Sequence, residues 1–168
     1  GPLIMMAGQT KVVGDIQMPA SADNIVKPLK FLVGAPTTTR DASTDRYKHV
    51  FDPSATLKWG TLYKGLEFCG GTDADMLQYI SCIGISGKFD CSSNSPLNAT
   101  FGYLGLKAAK VTTIALGTLS VVRPFVSLDA KIYWDITQLD EIANCDKISF
   151  NFERPIADDA YAMNSAFL

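Results

Sequence analysis

Apolar residues recur at every second position in several stretches of the chain, the period of a strand with one dry face. Lys11 to Met18 sets Val12, Gly14, Ile16 and Met18 against Val13, Asp15 and Gln17, and Pro19 ends the run. In ISCIGISGKFDCSSNSPLNATFGYLGLK, from Ile80 to Lys107, Ile83, Ile85, Gly87 and Phe89 share one parity, and Leu97, Ala99, Phe101 and Tyr103 resume the period after a polar cluster at Ser92 to Pro96. The pattern predicts a hairpin turning at Ser92 to Pro96, with Ile83, Ile85, Phe89, Phe101 and Tyr103 on one buried face. Ile148, Phe150 and Phe152 alternate in the same way with Lys147, Ser149 and Asn151. YKHVF, LKWGTLYKG, MLQYISCIG, KVTTIALG and AKIYWDI are further β-rich runs, punctuated by Asp52-Pro53 and Cys69-Gly70-Gly71.

Only SADNIVKPLKFLVG carries helical spacing, with Ile25, Leu29, Leu32 and Val33 on one stripe, Ser21, Asp23 or Asn24 as cap, and Gly34 as stop. Pro28 is tolerated only near a helix start, so the regular part is expected to be short. Ala35 to Arg46, APTTTRDASTDR, is polar and free of aromatics, and reads as a long loop. The elements add up to a mainly β fold, an antiparallel β-sandwich or partial barrel with one short α-helix. A length of 168 residues, 47% of them hydrophobic and 19% charged, suits one packed domain over 7–168. Gly1 to Met6 reads as a tag remnant or disordered start, with neither the charged nor the apolar region of a signal peptide.

Candidate chemistry is sparse. Gly84-Ile85-Ser86-Gly87-Lys88 suggests a phosphate loop, but Cys82 stands where its first glycine belongs and Phe89 where a Ser or Thr would hold Mg²⁺. The same residues fall one short of the G-x-S-x-G of a nucleophile turn. Cys69, Cys82, Cys91 and Cys145 have no C-x-x-C spacing, and His49 is the single histidine, so no metal site is expected. Cys82 and Cys91 differ in parity and are expected on opposite faces of one strand as free thiols. Asp73 and Asp75 lack the downstream ligands of a calcium loop, and the Asn98-Ala99-Thr100 sequon lies inside a strand. No nucleophile–base pair or paired-carboxylate site can be named, which argues against an enzyme and leaves no cofactor to place. A net charge of −2 with interspersed signs offers no stripe for sequence-specific nucleic-acid binding, and no apolar run has the length of a membrane span.

The order of these elements resembles the tail tube (major tail) proteins of long-tailed bacteriophages. VVGDIQMPASADNIVKPLKFLVGAPTTT is similar to the family's Gly-x-Ile strand, apolar helix ending in Gly and Thr-rich loop. Ile80 to Lys107 is similar to its central hairpin, here closing on Leu104-Gly105-Leu106-Lys107, and AKIYWDITQLDEIANCDKISFNFERP to its late strand pair with Asn151 and Arg154-Pro155 at the exit. YKHVFDPSATLKWGTLYKG fits more loosely as the strand pair before the hairpin. Family members commonly carry further strands at both ends, so the resemblance admits a fragment as well as a whole subunit. It implies a structural virion protein, made in the bacterial host cytoplasm and resident in the tail. Its expected partners are itself, as stacked and hexameric rings, other tail proteins, and DNA passing through the lumen without specific binding. No membrane is involved. Thr37, Thr38, Thr39, Arg40, Asp41, Ser43 and Thr44 are the expected stacking loop, flexible in an isolated subunit and ordered against the next ring. A β-sandwich module for receptor or carbohydrate recognition is the competing reading, with Trp59, Tyr63, Tyr133 and Trp134 as a stacking platform; a core role for these aromatics is favoured over it, since alternation places Trp134 with Ile132 and Ile136.

Overall fold

The computed structural model describes residues 12–44, 46–52, 58–66, 75–111, 122–127, 131–133, 137 and 145–155. Among them the element order is β1 (Val12–Pro19), α1 (Val26–Leu32), β2 (Thr37–Asp41), β3 (Arg46–Val50), β4 (Gly60–Leu66), β5 (Asp75–Ser92), β6 (Asn98–Gly105), β7 (Lys107–Val111) and β8 (Lys147–Glu153). The fold is mainly β and antiparallel, with one short helix and no closed barrel.

β5 is the spine of a six-stranded sheet. Its second half pairs β6 on one side, from Ile83↔Leu104 to Asp90↔Asn98, and β8 on the other, from Ser86↔Glu153 to Ser92↔Lys147. Its first half pairs β4 and β7. β1 pairs the outer side of β6, from Val12↔Gly105 to Pro19↔Asn98.

The expected hairpin forms, but its faces are divided differently. The register shifts between Gly84 and Ser86, leaving Ile85 as an extra residue against β6, and a bulge of this kind reverses every later side chain. Phe89, Phe101 and Tyr103 therefore lie on the face covered by α1, whereas Ile83 pairs with Leu104 on the opposite face. Ile85 lines that opposite face beside Leu104 and Ser86. The same bulge puts Cys82 and Cys91 on one face, correcting the parity reading, yet nine residues of strand hold them roughly 30 Å apart at about 3.3 Å per residue. Both are buried free thiols, and Cys145 is an exposed one.

The core is the layer between α1 and the sheet: Ala20, Leu32, Ala99, Phe101 and Tyr103 are buried, with Ile25, Leu29, Phe31 and Phe89 packed around them. Phe89 meets Phe101 and Phe152 edge-on, at centroid distances of 5.6 and 6.0 Å. Glycines let the helix approach: a Cβ on Gly84 would stand 2.9 Å from Leu32 Cα, and one on Gly60 would enter the Phe31 ring. Pro28 sits in the first turn, where its missing N–H costs nothing. None of the expected caps closes the N-terminus; Ile25 is the N-cap, and Asn24 instead accepts from Ser21 N–H and donates to the Pro19 carbonyl, both at 2.8 Å. Gly34, at φ 134°, ends the helix as its spacing predicts. On the opposite face, where Ile83 and Leu104 are buried, Lys88 Nζ reaches Asp90 Oδ2 at 2.7 Å. The hydrogen bonds from Lys88 and Ser149 hold the Asp90 carboxyl below its usual range.

Candidate functional site

The segment expected as a polar loop is an ordered arm. β2 and β3 form a separate two-stranded sheet, paired from Thr37↔Val50 to Asp41↔Arg46. Every residue of both strands is exposed. Threonine favours extended backbone, and the turn has its own lock. Asp41 Oδ1 accepts from Ser43 N–H at 3.0 Å and from Ser43 Oγ at 2.7 Å, while Oδ2 accepts from Thr44 Oγ1 at 2.7 Å. These bonds, Thr44 foremost, hold the Asp41 carboxyl down at about 2. Across the ladder, Thr38 Oγ1 and His49 Nδ1 share a hydrogen bond of 2.9 Å. Thr39 and Arg40 pair with Lys48 and Tyr47, so all seven stacking-loop residues lie on this arm or its turn. Tyr47 is 60% exposed. A two-stranded ribbon without a buried face is marginal in water.

The main sheet ends in bare edges. β1 pairs only β6, and β8 and β4 pair only β5, so among the described residues their outer backbone groups meet no further strand. Exposed apolar side chains accompany these edges, Val13 and Ile16 on β1 and Phe150 and Phe152 on β8. A monomer blunts such edges with proline, charge or a cover; β1 carries Pro19 at its end and Asp15 within, and β8 carries Lys147 and Glu153 at its two ends.

β1 and β4, the two ends of the β1-β6-β5-β4 path, also wall a half-open cleft of about 540 Å³. Its floor includes Tyr79, Cys82, Tyr103 and Gly105. Burial pushes the Tyr103 hydroxyl up to about 12 and the Cys82 thiol above its ordinary range. The Cys82 thiol donates to the Tyr79 carbonyl at 3.3 Å. No sequence pattern pointed to this cleft, because its walls lie about fifty residues apart in the chain. Among the described residues no group of His, Cys, Asp and Glu is arranged to hold a metal ion, and no helix is long and apolar enough to cross a membrane. Of the aromatic platform expected for a recognition module, Tyr63 is exposed and bonded to Gln78 at 3.1 Å, Trp59 and Tyr133 are half-buried, and Trp134 lies outside the described residues, as do Cys69, Asp73 and Gly1 to Met6.

A family model described as "Phage tail tube protein" matches residues 5–167. No curated protein and no solved structure matches the chain.

Proposed function

The chain belongs to the phage tail tube protein family, and from that premise we propose that it closes head-to-tail into hexameric rings that stack as a conduit for DNA. Family membership makes it a structural component of the virion tail, assembling with itself and with other tail proteins. The observation that supports ring closure is the pair of bare edges on opposite sides of one sheet, β1 beyond β6 and β8 beyond β5. A heterologous contact between them repeats around a closed cycle and satisfies both edges. The exposed arm supports the stacking step: Thr37 to Thr44 reach the next ring, which gives the ribbon the buried face it lacks alone. The near-neutral net charge of −2 suits a lumen that lets DNA slide, since a basic wall would hold phosphate. Synthesis takes place in the host cytoplasm, before incorporation into the tail.

Negative-stain microscopy of concentrated protein tests this reading, with a variant lacking Thr37 to Thr44 beside the parent. The parent is expected to form rings and tubes. The deletion is expected to stop at rings, with a folding free energy within about 1 kcal/mol of the parent, since shortening a surface connection changes closure entropy little. Tubes that grow equally well without these residues would remove the arm from the mechanism, and a parent that stays monomeric at millimolar concentration with its tail partners present would remove the conduit.

A further inference from the structure

β1 and β8 run in opposite directions, because each step from β1 to β6, β6 to β5 and β5 to β8 reverses the chain. A ring rotation carries every strand to the next copy with its sense along the axis unchanged, so β8 of one copy meets β1 of the next as an antiparallel pair. In such a ladder the N–H and C=O of one residue point to the same neighbour, and successive residues alternate. Ala20 N–H donates to the Leu97 carbonyl at 2.7 Å, one step past Pro19↔Asn98, and Arg154 N–H donates to the Ile85 carbonyl at 2.8 Å, one step past Ser86↔Glu153. Even-numbered residues therefore bond inward on both strands. Among the described residues, the outward groups belong to Val13, Asp15 and Gln17 on β1 and to Ser149, Asn151 and Glu153 on β8.

The faces divide by the same parity. Phe152 meets Phe89 on the face covered by α1, and Ile16 lies there beside its partner Phe101. Asp15 lies on the other face with Gly102 and Ser86, as does Asn151 opposite Lys88. Odd must oppose odd, and the overlap is longest when residues 13–19 face the seven residues of Lys147–Glu153. Phe150 then opposes Ile16, Ile148 opposes Met18, and Phe152 opposes Gly14, where nothing stands within 4 Å of a Cβ position and a ring has room. These contacts cover Phe150 and Phe152, which are 53% and 46% exposed in one copy. A slip of two residues one way sets Glu153 against Asp15, like charge on like charge; the other way it sets Met18 against Asp146.

We infer that β8 of one copy docks on β1 of the next in this register, with Asn151 opposite Asp15 and Phe150 opposite Ile16. This rests on the proposed ring closure and names the residues that meet across it.

Within one chain β1 and β8 are separated by two strands, roughly 14 Å at about 4.8 Å per spacing, so a disulfide between them joins two copies. The test combines Asp15→Cys with Ser149→Cys, Asn151→Cys or Glu153→Cys in the full chain, oxidises each under conditions where the parent assembles, and identifies the linked peptides by mass spectrometry. Directly opposite residues come within disulfide reach, whereas diagonal ones stand about 7 to 8 Å apart. The link between positions 15 and 151 is expected about tenfold above the other two, as a ladder of multimers on a non-reducing gel. Asn151→Asp sets a second carboxylate against Asp15; it should raise the concentration needed for assembly about threefold, and Asp15→Asn in the same chain should restore it. Rings whose links favour position 149 or 153, or that carry none of the three, overturn this register while the rings stand. Dimers linked only through position 15 of both copies show β1 pairing with itself and overturn ring closure as well, as does the absence of any assembly.

Discussion

Phe101 on β6 and Tyr47 on β3 are both aromatic residues in antiparallel ladders, yet the first is 1% exposed and the second 60%. β6 is gripped on both edges, by β1 and β5, and covered by α1. β3 has one partner strand, a turn tied by Asp41, and no covered face. β6 is bonded through both edges and β3 through one, and the larger difference is apolar burial, the term that dominates stability. The sheet buries its own apolar face; the arm's strands are exposed throughout, and in the proposed stacking it is another subunit that covers them. Under the proposed stacking, folding and assembly fall to different side chains, and each can be perturbed without the other.

The strongest way to break that division is to truncate one aromatic from each region. Phe101→Ala should cost about 3 to 5 kcal/mol, the range for emptying a fully buried Phe site, read as a shift in the urea midpoint. Tyr47→Ala should leave the midpoint within about 0.5 kcal/mol, as exposed sites do. Comparable losses from both would mean that the arm belongs to the folding core.

A smaller effect comes from adding an atom rather than removing a ring. Gly84→Ala places a Cβ against the backbone of Leu32, which cannot swing aside as a side-chain tip would. Overpacking of this kind costs about 1 to 3 kcal/mol. Gly14→Ala meets open space and should be neutral within about 0.5 kcal/mol in the same titration. If Gly84→Ala is also silent, α1 does not rest on β5 as closely as described.

The two regions differ as sharply in what a reader of the sequence can see. β1, β6 and β8 are legible because one face is apolar and the other polar, which writes the two-residue period into the chain. The division of faces on β5 is hidden at Gly84-Ile85-Ser86-Gly87, where small residues on either side give the bulge no hydropathy signature, so parity counted through Ile85 misplaced Ile83 and Ile85 relative to Phe89. The arm is hidden for another reason: with both faces in water, Thr37 to Asp41 has no alternation to display, and a polar strand looks like a polar loop. Asp41, Ser43 and Thr44 are ordinary turn residues, which said where the chain bends but not that strands flank the bend. The cleft needed β1 and β4 in one place, and only long-range topology supplies that. Family resemblance identified the kind of assembly; the bare edges came from the register.

Alkaline titration sharpens the comparison on the sheet side. Tyr103 has its hydroxyl pushed from the ordinary 10.0 up to about 12, chiefly by burial. A raised folded value means that its contribution to stability is fully present below pH 10 and is lost as pH rises through 12. The parent should therefore lose stability over this window faster than Tyr103→Phe, which has no proton to release. Parallel pH profiles for the two proteins would show that the hydroxyl is not held in the apolar layer.

The arm has the opposite sensitivity, and the smallest effect. Asp41 is fully exposed, and its carboxyl is lowered from 3.8 to about 2 by hydrogen bonds from Thr44 and Ser43 rather than by any neighbouring charge. A depressed folded value places its contribution above pH 3.8 and removes it as pH falls through 2. Protonation turns acceptors of the turn into a competing donor, so the turn loosens in acid while the sheet has no stake in it. The Ser43 amide resonance should titrate with a midpoint near 2, and Asp41→Asn, which keeps an acceptor but carries no ionisable proton, should abolish that titration without moving the urea midpoint. A midpoint at the ordinary 3.8 would show that the turn bonds are not formed in solution. A sheet that unfolds in step with Ser43 would show that the arm is part of the same cooperative unit.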